Sequence, residues 1–178
     1  MEGFKEISPY EVENAMKLIG KNWMLITAND EENCRVNAMT ASWGMLGVLW
    51  NKCVCTAFIR PQRHTFSLVE KEDRISFAFF DEEYRSALTL CGRESGRDQD
   101  KLKKAGFSTV TVDGVPCVRE AKLLLVCKKL YAQDLREECF IDKSLLSNYP
   151  EKDYHRMYVC EIEKAYVKQR MRETSSQR

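Results

Sequence analysis

Three short segments of this 178-residue chain carry side chains whose types and spacing could do chemistry. The first is Asn37-Ala38-Met39-Thr40-Ala41-Ser42-Trp43-Gly44. The Asn37 amide, the Thr40 and Ser42 hydroxyls and the backbone amides around Met39 and Ala41 offer donors and acceptors without bulk. A flat heterocycle can lie close to such a backbone, with Trp43 as a wall or an indole donor. The second is Arg60-Pro61-Gln62-Arg63-His64-Thr65. Arginine forks match phosphate oxygens in pairs, and Arg63, His64 and Thr65 fall at a predicted helix start, where free amides attract anions. The third is Ser95-Gly96-Arg97-Asp98-Gln99-Asp100-Lys101, a Gly-containing turn feeding a helix start, with Lys101 as a point charge. Together these residues suit an aromatic cofactor with an anionic tail. Each alone also has a plain reading: a strand ending at a core tryptophan, surface arginines beside a helix cap, and a capping box with surface ion pairs.

The rest of the chain bounds that chemistry. A length of 178 residues suits one domain with a substantial core. A net charge of +1 gives no global field for nucleic acid or an anionic membrane, so basic function must be local. No stretch approaches the roughly 20 apolar residues of a membrane span, and no secretion signal is recognised, so a cytoplasmic protein is expected. The eight cysteines are irregularly spaced and form no Cys-x-x-Cys pair. They are expected to be reduced, mostly buried thiols, with Cys91 the first candidate for a reactive one. Cys53 and Cys55 share a strand face but lack further ligands at zinc-like spacing, so no metal site is expected.

Hydrophobic patterning predicts the elements that must position these residues. Ser8-Pro9-Tyr10-Glu11 reads as a capping box opening a helix to about Leu18. Trp23–Ala28 and Cys34–Thr40 read as a hairpin, Val54–Ile59 as a buried strand stopped by Pro61, and Thr65–Glu70 as a short helix. A strand over Ile75–Phe80 precedes a helix from Asp81 to about Leu90. Ser95 to Asp98 reads as a second capping box, with Gly106 ending its helix. Val110–Val112 and Val115–Val118 flank the turn signal Asp113-Gly114. Long strands over Ala121–Leu130 and Tyr158–Val167 follow, with residues 1–168 forming one domain and 169–178 a polar tail. Hairpins with short inserted helices argue for a mainly β architecture, an antiparallel barrel with peripheral helices. No Gly-x-Gly-x-x-Gly follows a strand, and Gly92 to Gly96 lacks a Gly-Lys-Ser/Thr ending, which disfavours Rossmann and P-loop folds.

The three segments in this order, with Phe79-Phe80-Asp81-Glu82-Glu83-Tyr84 and Cys91-Gly92 between them, resemble the flavin reductase-like proteins, and within them the flavoredoxin-like branch. The resemblance is strongest over residues 19–107. It implies an FMN-binding split β-barrel, usually a homodimer, with FMN near the subunit interface. Asn37, Met39, Thr40, Ala41, Ser42 and Trp43 would surround the isoalloxazine and ribityl chain. Arg60, Arg63, His64, Thr65 and Lys101 would serve the phosphate end, and Ser95, Gly96, Arg97 and Asp98 would close the pocket. His64 departs from the family pattern, where an aromatic hydroxyl residue is expected. FMN affinity is therefore expected to fall as pH rises, since only charged imidazole attracts phosphate.

With only two histidines and no recognisable triad, the flavin would carry the redox chemistry and the protein would tune it. The resemblance implies an NAD(P)H-dependent reductase passing hydride to flavin N5, with NADH or NADPH as donor and no protein acid or base required. The first alternative is an electron carrier charged by a redox protein partner. Others are a non-catalytic FMN-binding module and a zinc–thiol regulator.

Overall fold

The computed structural model describes residues 3–169. Residues 170–178, nearly all of the expected tail, lie outside the described residues. The described residues form ten strands: β1 (Phe4–Ile7), β2 (Met24–Asp30), β3 (Arg35–Ala41), β4 (Gly44–Leu49), β5 (Lys52–Ile59), β6 (Arg74–Phe79), β7 (Thr109–Val112), β8 (Val115–Val118), β9 (Leu123–Asp134) and β10 (Arg156–Lys168). The α-helices are α1 (Ala15–Lys17), α2 (His64–Lys71), α3 (Arg85–Arg93) and α4 (Lys101–Lys104). Eight strands form one antiparallel sheet in the order β3-β2-β6-β9-β10-β5-β4, with β1 added beside β10, and β7–β8 form a separate hairpin. This is the mainly β split barrel with peripheral helices that the patterning and the resemblance imply.

Period-2 alternation explains the two cores. Met24, Ile26, Phe77, Phe79, Leu125 and Cys127 point to one face of the central strands and fill the barrel. Leu25, Ala78, Phe80, Leu124 and Val126 point to the other, where α3, α4 and β7–β8 cover them. Strands buried on both faces lose the polar alternation of a solvent-facing sheet, which is why β2 and β6 read as plain apolar runs. The β7–β8 hairpin is pinned by the Pro116 carbonyl, which accepts from Thr27 Oγ1 at 2.6 Å and Ser76 Oγ at 2.8 Å. Helix α2 contributes Leu68 and Val69 to the inner core, and α3 contributes Leu88 and Cys91 to the outer one.

Several local expectations are corrected. The capping box at Ser8 forms, but it opens only a 3-10 turn at Pro9–Glu11. A longer helix would have little to bury, since Tyr10 and Met16 are largely exposed, and short unsupported helices are marginal. The expected box at Ser95–Asp98 makes a turn, with Ser95 Oγ accepting from the Arg97 amide at 3.2 Å. The helix starts later, at Lys101, where Asp100 caps the Lys103 amide at 3.0 Å. Gly106 ends it in the left-handed region, φ +77°. Strands β1 and β4 were not expected. Strand β4 turns into β5 through Trp50 and Asn51, both left-handed at φ 53° and 58°.

Candidate functional site

The C-terminal end of β3 lies beside the start of β4, the end of β5 and the start of β10. There Met39, Thr40, Ala41, Ser42 and Trp43 line a cavity of about 230 Å³ with Phe58, Arg60, Arg63 and His155. Trp43 is 45% exposed, so it walls the cavity rather than filling the core. Its ring sits 5.1 Å from His155, inclined at 49°. The His155 Nδ1 and Tyr149 hydroxyl are 2.9 Å apart. Burial, aided by the Arg60 charge, holds His155 down at about 4, so the imidazole is neutral near pH 7. Thr40 Oγ1 donates to the Leu88 carbonyl at 2.5 Å, tying the cavity floor to α3.

A second cavity of about 230 Å³ lies where α2 begins and the α3–α4 loop passes over it. Its lining includes Arg63, His64 and Thr65 from one segment and Ser95, Gly96, Arg97 and Lys101 from the other, with Gln62, Arg93 and Glu94. Arg63 is an extended residue preceding α2, and its Nη2 donates to the Gly92 carbonyl at 2.8 Å. Lys101 is 3% exposed. Its Nζ donates to the Cys91 carbonyl at 3.1 Å and the Glu94 carbonyl at 3.2 Å, which leaves one of its three N–H groups without a partner among the described residues. Burial, then the Arg63 charge, lowers Lys101 to about 8. Burial also lowers Arg63. Two cations held close in a desolvated cavity favour an incoming anion.

Asn37 lies beneath this second cavity. Its Nδ2 donates to Thr65 Oγ1 at 2.8 Å, while the buried Oδ1 has no hydrogen-bond partner among the described residues. Burying an unpaired acceptor is costly, so a donor from a ligand or water would stabilise it.

The structure thus brings most of the expected residues together, with four differences. Asn37, expected beside the ring, lines neither cavity and packs instead against Thr65 and Gly96 on the cationic side. Arg60 lies at the Trp43 side rather than with the cluster of cations. It pairs with Asp153, donates to the Asn148 carbonyl at 2.8 Å and lies 5.1 Å over the Tyr149 ring. Asp98 is exposed and lines neither cavity. Cys91 is buried, with its thiol pushed up to about 11 by desolvation, so it is a poor nucleophile. Sequence reasoning missed Phe58, Gln62, Arg93, Glu94 and His155. The one available signal for His155 was a histidine between Asp153 and the alternating apolar residues of β10.

The sequence pattern of the flavin reductase like domain matches residues 16–175. The chain belongs to the flavin reductase-like family. YddH of Escherichia coli strain K12, an uncharacterised protein, is 29% identical over 134 residues, covering 73% of this chain and 70% of YddH. The FMN-binding domain of a flavin reductases-like enzyme from Shewanella baltica superposes with a TM-score of 0.67 at 16% identity, covering 93% of this chain and 77% of that one. Flavoredoxin from Methanosarcina acetivorans gives 0.63 at 20% identity, covering 82% and 68%.

The residues of this flavin reductase-like chain fit FMN on their own chemistry. Four cationic side chains, Arg63, Arg93, Arg97 and Lys101, face a cavity whose one carboxylate, Glu94, is already paired with Lys104 at 2.7 Å. That balance suits a phosphate dianion. The other cavity offers an aromatic wall, a strand backbone and small hydroxyl side chains, which suits a flat ring.

Proposed function

We propose that this chain binds FMN and works as an NAD(P)H-dependent flavin reductase. The observation that carries the reading is the position of Arg63, which lines both the aromatic-walled cavity and the cationic one. A ligand with a flat ring and a phosphate would meet both around that one guanidinium. Arg63, Thr65 and Lys101 would hold the phosphate, with Ser95, Gly96 and Arg97 closing over it. Met39 to Ser42 would present backbone and hydroxyl groups to the ring and ribityl chain, and Trp43 would wall the ring. When bound, FMN supplies the redox chemistry at its isoalloxazine ring. The protein's part is to orient the ring, exclude water and stabilise negative charge with donors from β3.

An open cleft of about 680 Å³ adjoins this place and shares Ser42, Trp43 and Phe58 with it. A cleft of that size leaves room for a nicotinamide ring beside the flavin. We infer a homodimer as well. Met45, Val48, Leu49 and Trp50 are exposed along β4 and its turn, an apolar strip that a second copy would cover.

The second reading is an electron carrier charged by a redox protein. Likeness to a flavoredoxin favours it, and the same apolar strip would suit a protein partner. The visible spectrum of the FMN-loaded protein, recorded anaerobically before and after NADH or NADPH, separates the two. Rapid bleaching of the flavin band supports the reductase. A band that stays oxidised with both nucleotides overturns it in favour of the carrier or a non-catalytic module.

A further inference from the structure

One buried carboxylate stands directly behind the cationic cavity and is used by nothing described so far. Asp30, the last residue of β2, is 1% exposed. His64 Nε2 lies 3.1 Å from its Oδ2, and Arg35 Nε lies 3.7 Å from the same oxygen. Asn33 Nδ2 donates to both carboxylate oxygens, at 3.0 and 2.9 Å. Arg35 reaches on with Nη2 to the Gly96 carbonyl. One carboxylate therefore fixes a histidine from the start of α2 and, through Arg35, a peptide of the α3–α4 loop. Those are the two segments that make the cavity. Burial works to raise the Asp30 pKa, and the hydrogen bonds from His64 and Asn33 outweigh it, so the group is ionised near pH 7.

The arrangement has consequences for an anion in the cavity. An imidazole whose Nε2 is bonded to a carboxylate is held in one orientation, with its Nδ1 edge turned away from that carboxylate. A Gly96 carbonyl engaged by Arg35 has its partial negative charge compensated and does not repel a phosphate. The carboxylate itself faces Arg35, Asn33 and His64, while Arg63, Arg93, Arg97, Lys101 and Glu94 face the cavity.

We propose that Asp30 is a positioning residue for phosphate recognition: it orients His64 directly and the Gly96 peptide through Arg35, and so sets the preference for FMN over riboflavin. This rests on the FMN reading above. Asp30 itself lines neither cavity, so the role assigned to it is positional.

The test compares equilibrium affinities for FMN and riboflavin in the wild type, Asp30→Asn, His64→Gln and the double variant, read by flavin fluorescence. The wild type is expected to prefer FMN. Asp30→Asn, which keeps the shape and removes the charge, should lower the FMN-to-riboflavin ratio about tenfold, as loss of a charge-assisted hydrogen bond does. His64→Gln should lower it in part, and the double variant should fall little below Asp30→Asn, because the His64 arm is already lost in that variant. Arg35→Gln, at a part-exposed position, should give an intermediate loss and serves if Asp30→Asn does not fold. A wild type that prefers FMN, with an unchanged or raised ratio in Asp30→Asn or Arg35→Gln, overturns the proposal and leaves the FMN reading intact. Equal wild-type affinity for FMN and riboflavin overturns the phosphate reading itself.

Discussion

A Cβ built on Gly96 would lie 2.0 Å from Asn37 Oδ1, a separation no pair of non-bonded heavy atoms tolerates. Glycine is required here by close approach: the α3–α4 loop passes directly over the buried amide of β3. Gly96→Ala must push the loop away from Asn37, and the His64 ring, 3.2 Å from the same Cβ, blocks one escape. The expected cost is about 1–3 kcal/mol in a denaturant melt, with FMN affinity reduced as the cationic cavity opens.

Trp43 separates a cofactor wall from a core residue. Because its ring is only about half exposed and rests against His155, Trp43→Ala should cost about 1–2 kcal/mol of stability, less than the loss of a core tryptophan. Loss of ring contact should weaken FMN binding by about 1–2 kcal/mol, measured by titration. Unchanged FMN affinity would mean that the ring serves only its contact with His155.

Lys101 gives a pH dependence of two opposite signs. Its ordinary value is 10.5 and its folded value about 8. Between these values the unfolded chain holds the proton more tightly, so the protein without FMN should gain stability as pH rises through this window. FMN affinity should fall over the same rise, as the Lys101 charge is lost. Lys101→Met should flatten both curves, followed by thermal melts and flavin titrations from pH 7 to 10.

His155 works at the acid end. Its folded value is about 4 against an ordinary 6.5. The unfolded state takes up the proton first, so stability present above about 6.5 should be lost as pH falls towards 4. His155→Phe keeps a ring against Trp43 and removes the titration. The acid limb of its melting profile should be shallower than that of the wild type.

Much of the candidate site's clustering was legible because its residues lie in short local segments. Arg63-His64-Thr65 lies at a helix start, and Ser95-Gly96-Arg97 lies in a turn, and each declares an anion preference by residue type. What could not be read is what depends on partners far along the chain. Arg60 looked like a phosphate ligand, but Asp153, 93 residues away, claims it. His155 lies at the end of a long irregular stretch and becomes relevant only when β10 pairs with β5, which sets Arg156 opposite Ile59. Strand β4 was missed because it turns through Trp50-Asn51, which lacks the usual Asn-Gly signal. Strand β1 has no local signature, since it exists only by pairing with β10. The Ser95 box failed for a different reason: Asp100 sits one residue before the Lys-rich helix and caps it in preference.

The most direct check is gel filtration of the protein mixed with equimolar FMN, with the visible spectrum taken across the protein peak. Flavin eluting with the protein, its absorption bands shifted from those of free FMN, is the expected result. Flavin eluting entirely as the free small molecule, with no spectral change in the mixture before separation, would contradict FMN binding at the Arg63 site.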